Sequence, residues 1–442
     1  MSSPELVALV CCDLGSIVRG RSVPAAELDE HLRTGVGWVP ANQALTPLGP
    51  VADPNPFGST GDLRLLPDAG TRARVEADGE AGALELVLCD IVELDGRPWE
   101  CCPRSFLRAS LHALEQELGA RVRASFEHEF QLLSDAPAAL PFTLDAQRRV
   151  EPFPARLMGA LTEAGLAPER FFAEYAPHQF EVPVAASEGL TSADRSVVLR
   201  ETVREIARRQ GMRASFVPLL DPEHAGNGLH IHFTLVDAHG ASLLYDAARP
   251  AGLSELGERF AAGVIAHARA LTALTAASPV SAARLQPHRW SAGAVCLAQR
   301  NREALLRIPP VVELGDADAA AQLHLEYRAA DAAANPYLAL GAILRAGLEG
   351  VREGLPAPAL LECDPAELDA QEAQRFGVGA LPATLAESLG ALAEDAAVRA
   401  WFSPLLYDAY VSVKRAELAA AASSPEGELD LEEVCRRYAA IY

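Results

Sequence analysis

The stretch Ser125-Phe-Glu-His-Glu-Phe-Gln-Leu-Leu133 constrains this chain more than any other. Phe126, His128 and Phe130 alternate with Glu127 and Glu129, and side chains two apart in an extended strand share a face. A strand here has one largely apolar face and one face carrying neighbouring carboxylates. Like charges side by side in an apolar segment are costly unless water or a cation offsets them. Taken alone, the stretch reads most simply as an edge strand with a solvated acidic face. A pair of divalent cations is the alternative, because hard cations take oxygen ligands.

Four further segments repeat the theme. Glu174-Tyr-Ala-Pro-His-Gln-Phe-Glu181 sets two carboxylates around a proline-containing turn. Gly226-Asn-Gly-Leu-His-Ile-His232 puts His230 and His232 on one strand face behind a glycine-rich loop, where Gly226 lets a ligand approach backbone. Glu326-Tyr-Arg328 pairs a carboxylate with a guanidinium, and Arg302 and Arg307 form a basic cluster in an otherwise acidic chain. Each has a plain alternative: a turn-capping Glu181, a hydrogen-bonded core His230, or surface ion pairs at Arg302 and Arg307. Together, five glutamates and a histidine suit Mg²⁺ or Mn²⁺, and separate arginines suit phosphate oxygens and a carboxylate. Phosphoryl transfer through two metals needs that combination.

The 442 residues favour two domains. A small β-rich domain is expected over 1–103, with strands at Val7–Cys12, Asp62–Leu66 and Leu84–Asp90 and a surface loop over Ala41–Gly61. Residues 104–442 form the second domain. Its expected helices are Ser105–Gly119, Pro154–Gly165, Ser192–Gln210, Leu256–Ala276 and Asn335–Glu349, with mainly helical chain after Thr384. Its expected strands are Ser125–Leu133, Ser215–Leu219, Leu229–Val236 and Leu323–Arg328. The formal charge of −22 argues against nucleic acid or an anionic membrane as a partner, and no apolar run reaches membrane-spanning length. Eight cysteines without Cys-x-x-Cys spacing read as free thiols, buried in a cytoplasmic protein.

The stretches FEHEF, EYAPHQFEV, GNGLHIHFTL, ARLQP, QRNREALLRIP and LEYRAADAAANPYLA, in this order, resemble the glutamine synthetase family. The resemblance spans nearly the whole chain. It implies an α+β protein with an N-terminal β-grasp domain, a C-terminal α/β catalytic domain of glutamine synthetase type, and stacked rings of subunits, a dodecamer in the family. It implies ATP and L-glutamate as substrates and two or more Mg²⁺ or Mn²⁺ ions per site. Glu129, Glu174 and Glu181 would hold the first ion, and Glu127, His230 and Glu326 the second. Arg302 and Arg307 would contact ATP phosphates, with His232 nearby and Thr234 where the family usually has a nucleotide-contacting serine. Arg284 and Arg328 would bind glutamate and its γ-phosphate, with Arg302 and Arg328 acting in catalysis. Gly226 and Asn227 would lie against glutamate.

The departures point to the acceptor. In ammonia-using members the loop after ARLQP carries a glutamate that closes the site and takes a proton from ammonium; counting from Pro287, that position is Trp290. The ammonium-binding acid of the N-terminal domain has no secure counterpart, Asp53 being the nearest. The family's glutamate-contacting asparagine falls on Ala225, and a usual lysine falls on Leu219. Trp290 would form an apolar or cation–π wall. The expectation is therefore an ATP-dependent ligase joining the γ-carboxyl of glutamate to a primary amine. Ammonia-dependent glutamine synthesis and a non-catalytic regulatory or scaffold role are the alternatives, separable by ATP turnover over ammonium and a panel of amines.

Overall fold

The computed structural model describes residues 5–79, 82–315, 317–423 and 429–442. Two sheets organise the described residues. The first runs in the order Val18–Pro24, Leu6–Cys12, Leu84–Val92, Leu63–Pro67, Val36–Trp38, with Ala73–Val75 also paired to Leu84–Val92. Leu6–Cys12 and Leu84–Val92 are parallel, and the short helix Leu28–Thr34 packs on Leu63–Pro67. A mixed sheet cradling one helix is the β-grasp arrangement. Part of the Ala41–Gly61 segment departs from a surface loop. Pro40–Ala44 is a 3₁₀ turn packed on the helix Pro404–Ala421, and Gln43, Ala44 and Ala52 are buried. The absence of periodicity marked irregular backbone there, and irregular backbone can still be covered.

Among the described residues the second sheet has ten strands, and Arg121–Leu133 is its hub, pairing with Leu229–Val236, Gln179–Val182, Ser187–Glu188 and Arg213–Ser215. Beyond Leu229–Val236 follow Leu325–Tyr327, Ala304–Ile308, Ala294–Gln299 and Leu360–Leu361. Alternation on the hub strand sorts its side chains. Phe126, His128, Phe130 and Leu132 are buried, and His128 Nε2 lies 2.7 Å from Ser196 Oγ on the helix Gly189–Arg209. Glu127 and Glu129 take the opposite face. Helices Pro103–Leu118, Glu255–Ala266 and Pro336–Arg352 pack together around the last of these, whose Asn335 cap accepts from the N–H groups of Tyr337 and Leu338.

Two expected elements differ. The strand placed at Ser215–Leu219 is instead Arg213–Ser215, because the chain leaves the sheet to form the turn in which Asn227 N–H donates to the Pro218 carbonyl at 2.9 Å. The single helix over Leu256–Ala276 is broken at His267, whose Nδ1 lies 2.7 Å from Asp395 Oδ2. Apolar periodicity continues across that break, so only the side-chain contact marks it. All eight cysteines are free and all but Cys363 are buried. The helical character expected after Thr384 covers 424–428, which lie outside the described residues; around them Leu385–Glu394, Pro404–Ala421 and Leu431–Ala439 are helices. Among the described residues no helix is long and apolar enough to cross a membrane.

Buried polar contacts join the two sheets' halves. Arg200 donates to the Ser16 hydroxyl, the Ser16 carbonyl and the Ala332 carbonyl at 2.8–3.0 Å. Arg104 makes a bidentate pair with Asp194, 2.9 Å at each oxygen, and reaches Asp68 at 2.8 Å and Asp90 at 3.1 Å.

Candidate active site

The acidic face of the hub strand lines an open cavity of about 550 Å³, the size of a small-molecule site. Sheet register assembles it rung by rung. His230 lies opposite Glu127, Glu129 opposite Glu181, His232 opposite Glu326, and Glu326 opposite Arg307. Directly opposed residues share a face, so the alternation of five strands delivers their charged side chains to one place.

Two charge environments result. Near one wall, Glu127 Oε2 lies 3.2 Å from His230 Nδ1 and 3.3 Å from His232 Nε2. Burial alone would raise the Glu127 pKa, but these imidazoles hold it well below the carboxylate range. Glu326 is paired with Arg328 and, at 2.7 Å, with Arg307. Its pKa drops to about 2 against burial, chiefly through Arg328. Potential ligand atoms of Glu127, His232 and Glu326 lie within 4.8 Å of one another. His232 thus takes the place expected for His230, whose Nδ1 stands beside the group, 3.2 Å from Glu127 and 3.8 Å from Glu326.

On the other side, carboxylates crowd, and the charge of Arg302 offsets only part of the repulsion at Glu174. Burial, then Glu129 and Glu127, push Glu174 up to about 8. Burial, then Glu127 and Glu129, push Glu181 well above its ordinary range, and its buried Oε1 has no hydrogen-bond partner among the described residues. Glu129 accepts from Gly228 N–H at 2.8 Å and Gln179 Nε2 at 3.2 Å. Crowded oxygen donors with an orphaned buried acceptor fit a hard divalent cation.

The other expected residues divide. Arg284, Arg302, Arg307 and Arg328 all line the cavity. Arg284 is buried and donates to the carbonyls of Ala329 and Ala330 at 2.9 and 2.8 Å, leaving Nε without a partner among the described residues. Gly226 lines the cavity where a Cβ would stand 2.1 Å from the Pro218 carbonyl, so only glycine allows this approach. Trp290 stands at the mouth, 57% exposed, its ring centroid 5.5 Å from that of Tyr175. Asn227 and Thr234 are not part of the lining. The Asn227 amide is turned inward, donating to the Val217 carbonyl at 2.8 Å and accepting from Gln179 at 2.9 Å. Thr234 Oγ1 is buried two residues past His232.

Several contributors escaped the reading of the sequence. Gln179 ties Glu129 to the carbonyl of Gly226 at 2.9 Å and to Asn227. His324 Nε2 lies 3.0 Å from His232 Nδ1, and the alternation His324-x-Glu326-x-Arg328 was its signal. Glu303 accepts from the N–H groups of His288 and Trp290, and the sequence carries no hint of that.

Known proteins give this arrangement a context. Residues 100–432 match the family model for the glutamine synthetase catalytic domain, and residues 1–99 match that for the glutamine synthetase N-terminal domain. A gamma-glutamylpolyamine synthetase of Streptomyces coelicolor is 36% identical over 443 residues, covering 98% of this chain and 92% of that protein. A glutamine synthetase of Methanocaldococcus jannaschii is 31% identical, covering 80% of this chain and 79% of that one. A crystal structure described as a novel glutamine synthase homolog superposes with a TM-score of 0.91 at 45% identity, covering 100% of this chain and 99% of the other. Family models spanning both halves of the chain, on a sheet that gathers carboxylates, histidines and arginines around one cavity, make this chain a member of the glutamine synthetase family.

Proposed function

We propose that this chain is an ATP-dependent ligase that joins the γ-carboxyl of L-glutamate to a primary amine. Trp290 carries the reading: an indole, flanked by Tyr175, stands in the loop that bears a proton-accepting glutamate in ammonia-using members. The similarity to a gamma-glutamylpolyamine synthetase supports it.

Glu129, Glu174 and Glu181 would hold one Mg²⁺ or Mn²⁺, and Glu127, His230 and Glu326 a second, with His232 beside it. Bound there, such ions supply neutralisation of the phosphate charge of ATP. Arg302 and Arg307 bind phosphate oxygens, and Arg284 and Arg328 bind glutamate. A γ-carboxylate oxygen attacks the γ-phosphorus of ATP, breaking its bond to the β–γ bridging oxygen and releasing ADP. The amine nitrogen then attacks the acyl carbon of γ-glutamyl phosphate, phosphate leaves with the C–O bonding pair, and the surplus amine proton passes to solvent.

An indole removes both fixed charge and base, so ammonium loses more than an alkylamine does. Two to four methylenes packed on the indole would recover roughly 1.6–3.2 kcal/mol, about ten- to two-hundred-fold in discrimination. The acidic chain, at −22, also favours approach of a cation. Phosphate release from ATP plus glutamate, measured over ammonium and mono-, di- and polyamines, tests the reading. We expect an alkyl- or polyamine to be preferred and Trp290→Glu to shift preference towards ammonium. Ammonium preferred by the wild type, with Trp290→Glu changing nothing, would overturn it.

The same reading includes ring assembly, with a neighbour's N-terminal loop closing the cavity. The exposed Leu140, Phe142 and Leu144 support it, since Phe142 lies 6.4 Å from Tyr175 and extends an apolar rim from the cavity mouth.

A further inference from the structure

One buried carboxylate beside the cavity faces neither the acidic cluster nor the arginines. Glu303 follows Arg302 in the turn between Ala294–Gln299 and Ala304–Ile308 and is 8% exposed. Its Oε2 accepts from His288 N–H at 3.1 Å and its Oε1 from Trp290 N–H at 3.0 Å. Its backbone carbonyl accepts from the N–H groups of Gly293 at 2.9 Å and Ala294 at 3.3 Å. A single residue therefore receives N–H groups from both ends of the 288–294 segment.

The two donors converge because the backbone is bent to present them. His288 and Trp290 both have left-handed φ, 63° and 53°, uncommon for residues with a side chain. Backbone N–H groups gathered in this way form an anion-binding hollow, here filled by the chain's own carboxylate. Between them, Arg289 donates outward to the carbonyls of Pro222 and His224 at 2.8 and 2.7 Å. The Trp290 carbonyl accepts from Arg328 Nη2 at 2.9 Å. The indole is more than half exposed, so core packing does not set its place; its backbone anchors do.

We propose that Glu303 is a positioning residue for the amine acceptor, holding the 288–290 backbone so that the Trp290 indole stays against Tyr175 and sets which amines fit. This rests on the ligase reading of the cavity. Gly293 gives a second handle, since a Cβ there would stand 2.8 Å from Glu303 Oε2 and push the carboxylate aside without altering its charge, with a weaker contact at 3.3 Å to the Pro287 backbone.

The test uses the full chain as Glu303→Ala, Glu303→Gln and Gly293→Ala. Tryptic cleavage after Arg289, followed by mass spectrometry without substrates, reads the loop. Steady-state kinetics over an amine panel, at saturating ATP and glutamate, reads the acceptor. A hydrogen bond to a charged group is worth roughly ten- to a hundred-fold in an equilibrium, so Glu303→Ala should raise cleavage at Arg289 and KM for the preferred amine by at least about tenfold. KM for ATP should stay within about twofold and preference among amines should flatten. Glu303→Gln keeps one acceptor and should rescue part of both effects, and Gly293→Ala should resemble Glu303→Ala. If Glu303→Ala fails to fold, the other two variants decide. Wild-type cleavage at Arg289 in a folded variant, or KM for ATP rising together with KM for the amine, overturns the proposal. A wild type that turns over no amine removes the ligase reading and the acceptor role, while cleavage still decides whether Glu303 holds the loop.

Discussion

Replacing Glu174 by glutamine should stabilise the metal-free protein while removing its response to metal. Burial, Glu129 and Glu127 push the Glu174 carboxyl from an ordinary 4.5 up to about 8. A raised carboxyl pKa means that the folded protein holds the proton more tightly than the unfolded chain. Stability from this group is therefore complete below about pH 4.5 and lost as pH rises through about 8. The whole displacement corresponds to about 5 kcal/mol. Water in the open cavity screens part of it, so we expect Glu174→Gln to gain roughly 2–3 kcal/mol above pH 8. An unfolding entropy of about 2.1 cal/mol/K per residue over this chain converts that gain to a Tm rise of about 2–3 °C. Thermal unfolding in EDTA at pH 5 and pH 8.5, repeated with Mg²⁺ or Mn²⁺, is the assay. The variant should match the wild type at pH 5, exceed it at pH 8.5 in EDTA, and fall behind once metal is added. Equal Tm values in EDTA at pH 8.5, together with an undiminished rise on adding metal, would refute the view that Glu174 is a cation ligand held at the expense of apo stability.

Other expectations follow from the same geometry. Burial raises Asp331 from 3.8 to about 6 despite Arg284, so stability from it is lost as pH rises through about 6. Asp331→Asn should gain about 3 kcal/mol over the wild type at pH 7 and nothing at pH 4, read by urea unfolding; a gain independent of pH would contradict this. Arg104→Ala should cost about 3–5 kcal/mol because it strands buried Asp194, and Arg104→Lys should restore little of it without the bidentate fork; a loss below about 1 kcal/mol would sink the argument. Light scattering at micromolar protein should find a ring-sized assembly, and a monomer would leave the apolar rim around Phe142 unexplained.

The sequence by itself determined which side chains share a face. Period-two alternation was enough to set Glu127 with Glu129, His230 with His232, and Glu326 with Arg328, because strand geometry is local. The observed strand Leu229–Val236 has the bounds its apolar run suggested, and the helix Pro103–Leu118 lies within two residues of expectation at its start. Ordered motifs then carried the family, and with it the β-grasp half whose short strands have weak periodicity of their own.

What only the tertiary structure decided is how those faces meet. The register that sets His230 opposite Glu127, Glu129 opposite Glu181 and Glu326 opposite Arg307 joins separate strands across the sheet, and no local pattern encodes it. Asn227 looked available to a substrate, yet Val217 and Gln179 occupy its amide, because a buried amide must satisfy its donors and acceptors. The break at His267 depends on an aspartate more than a hundred residues away. Glu303 reads in sequence as one more charge in a basic cluster. Folding buries it beneath a loop whose left-handed residues turn two N–H groups towards it, and that loop is tied to the distant Pro222, His224 and Arg328 by hydrogen bonds.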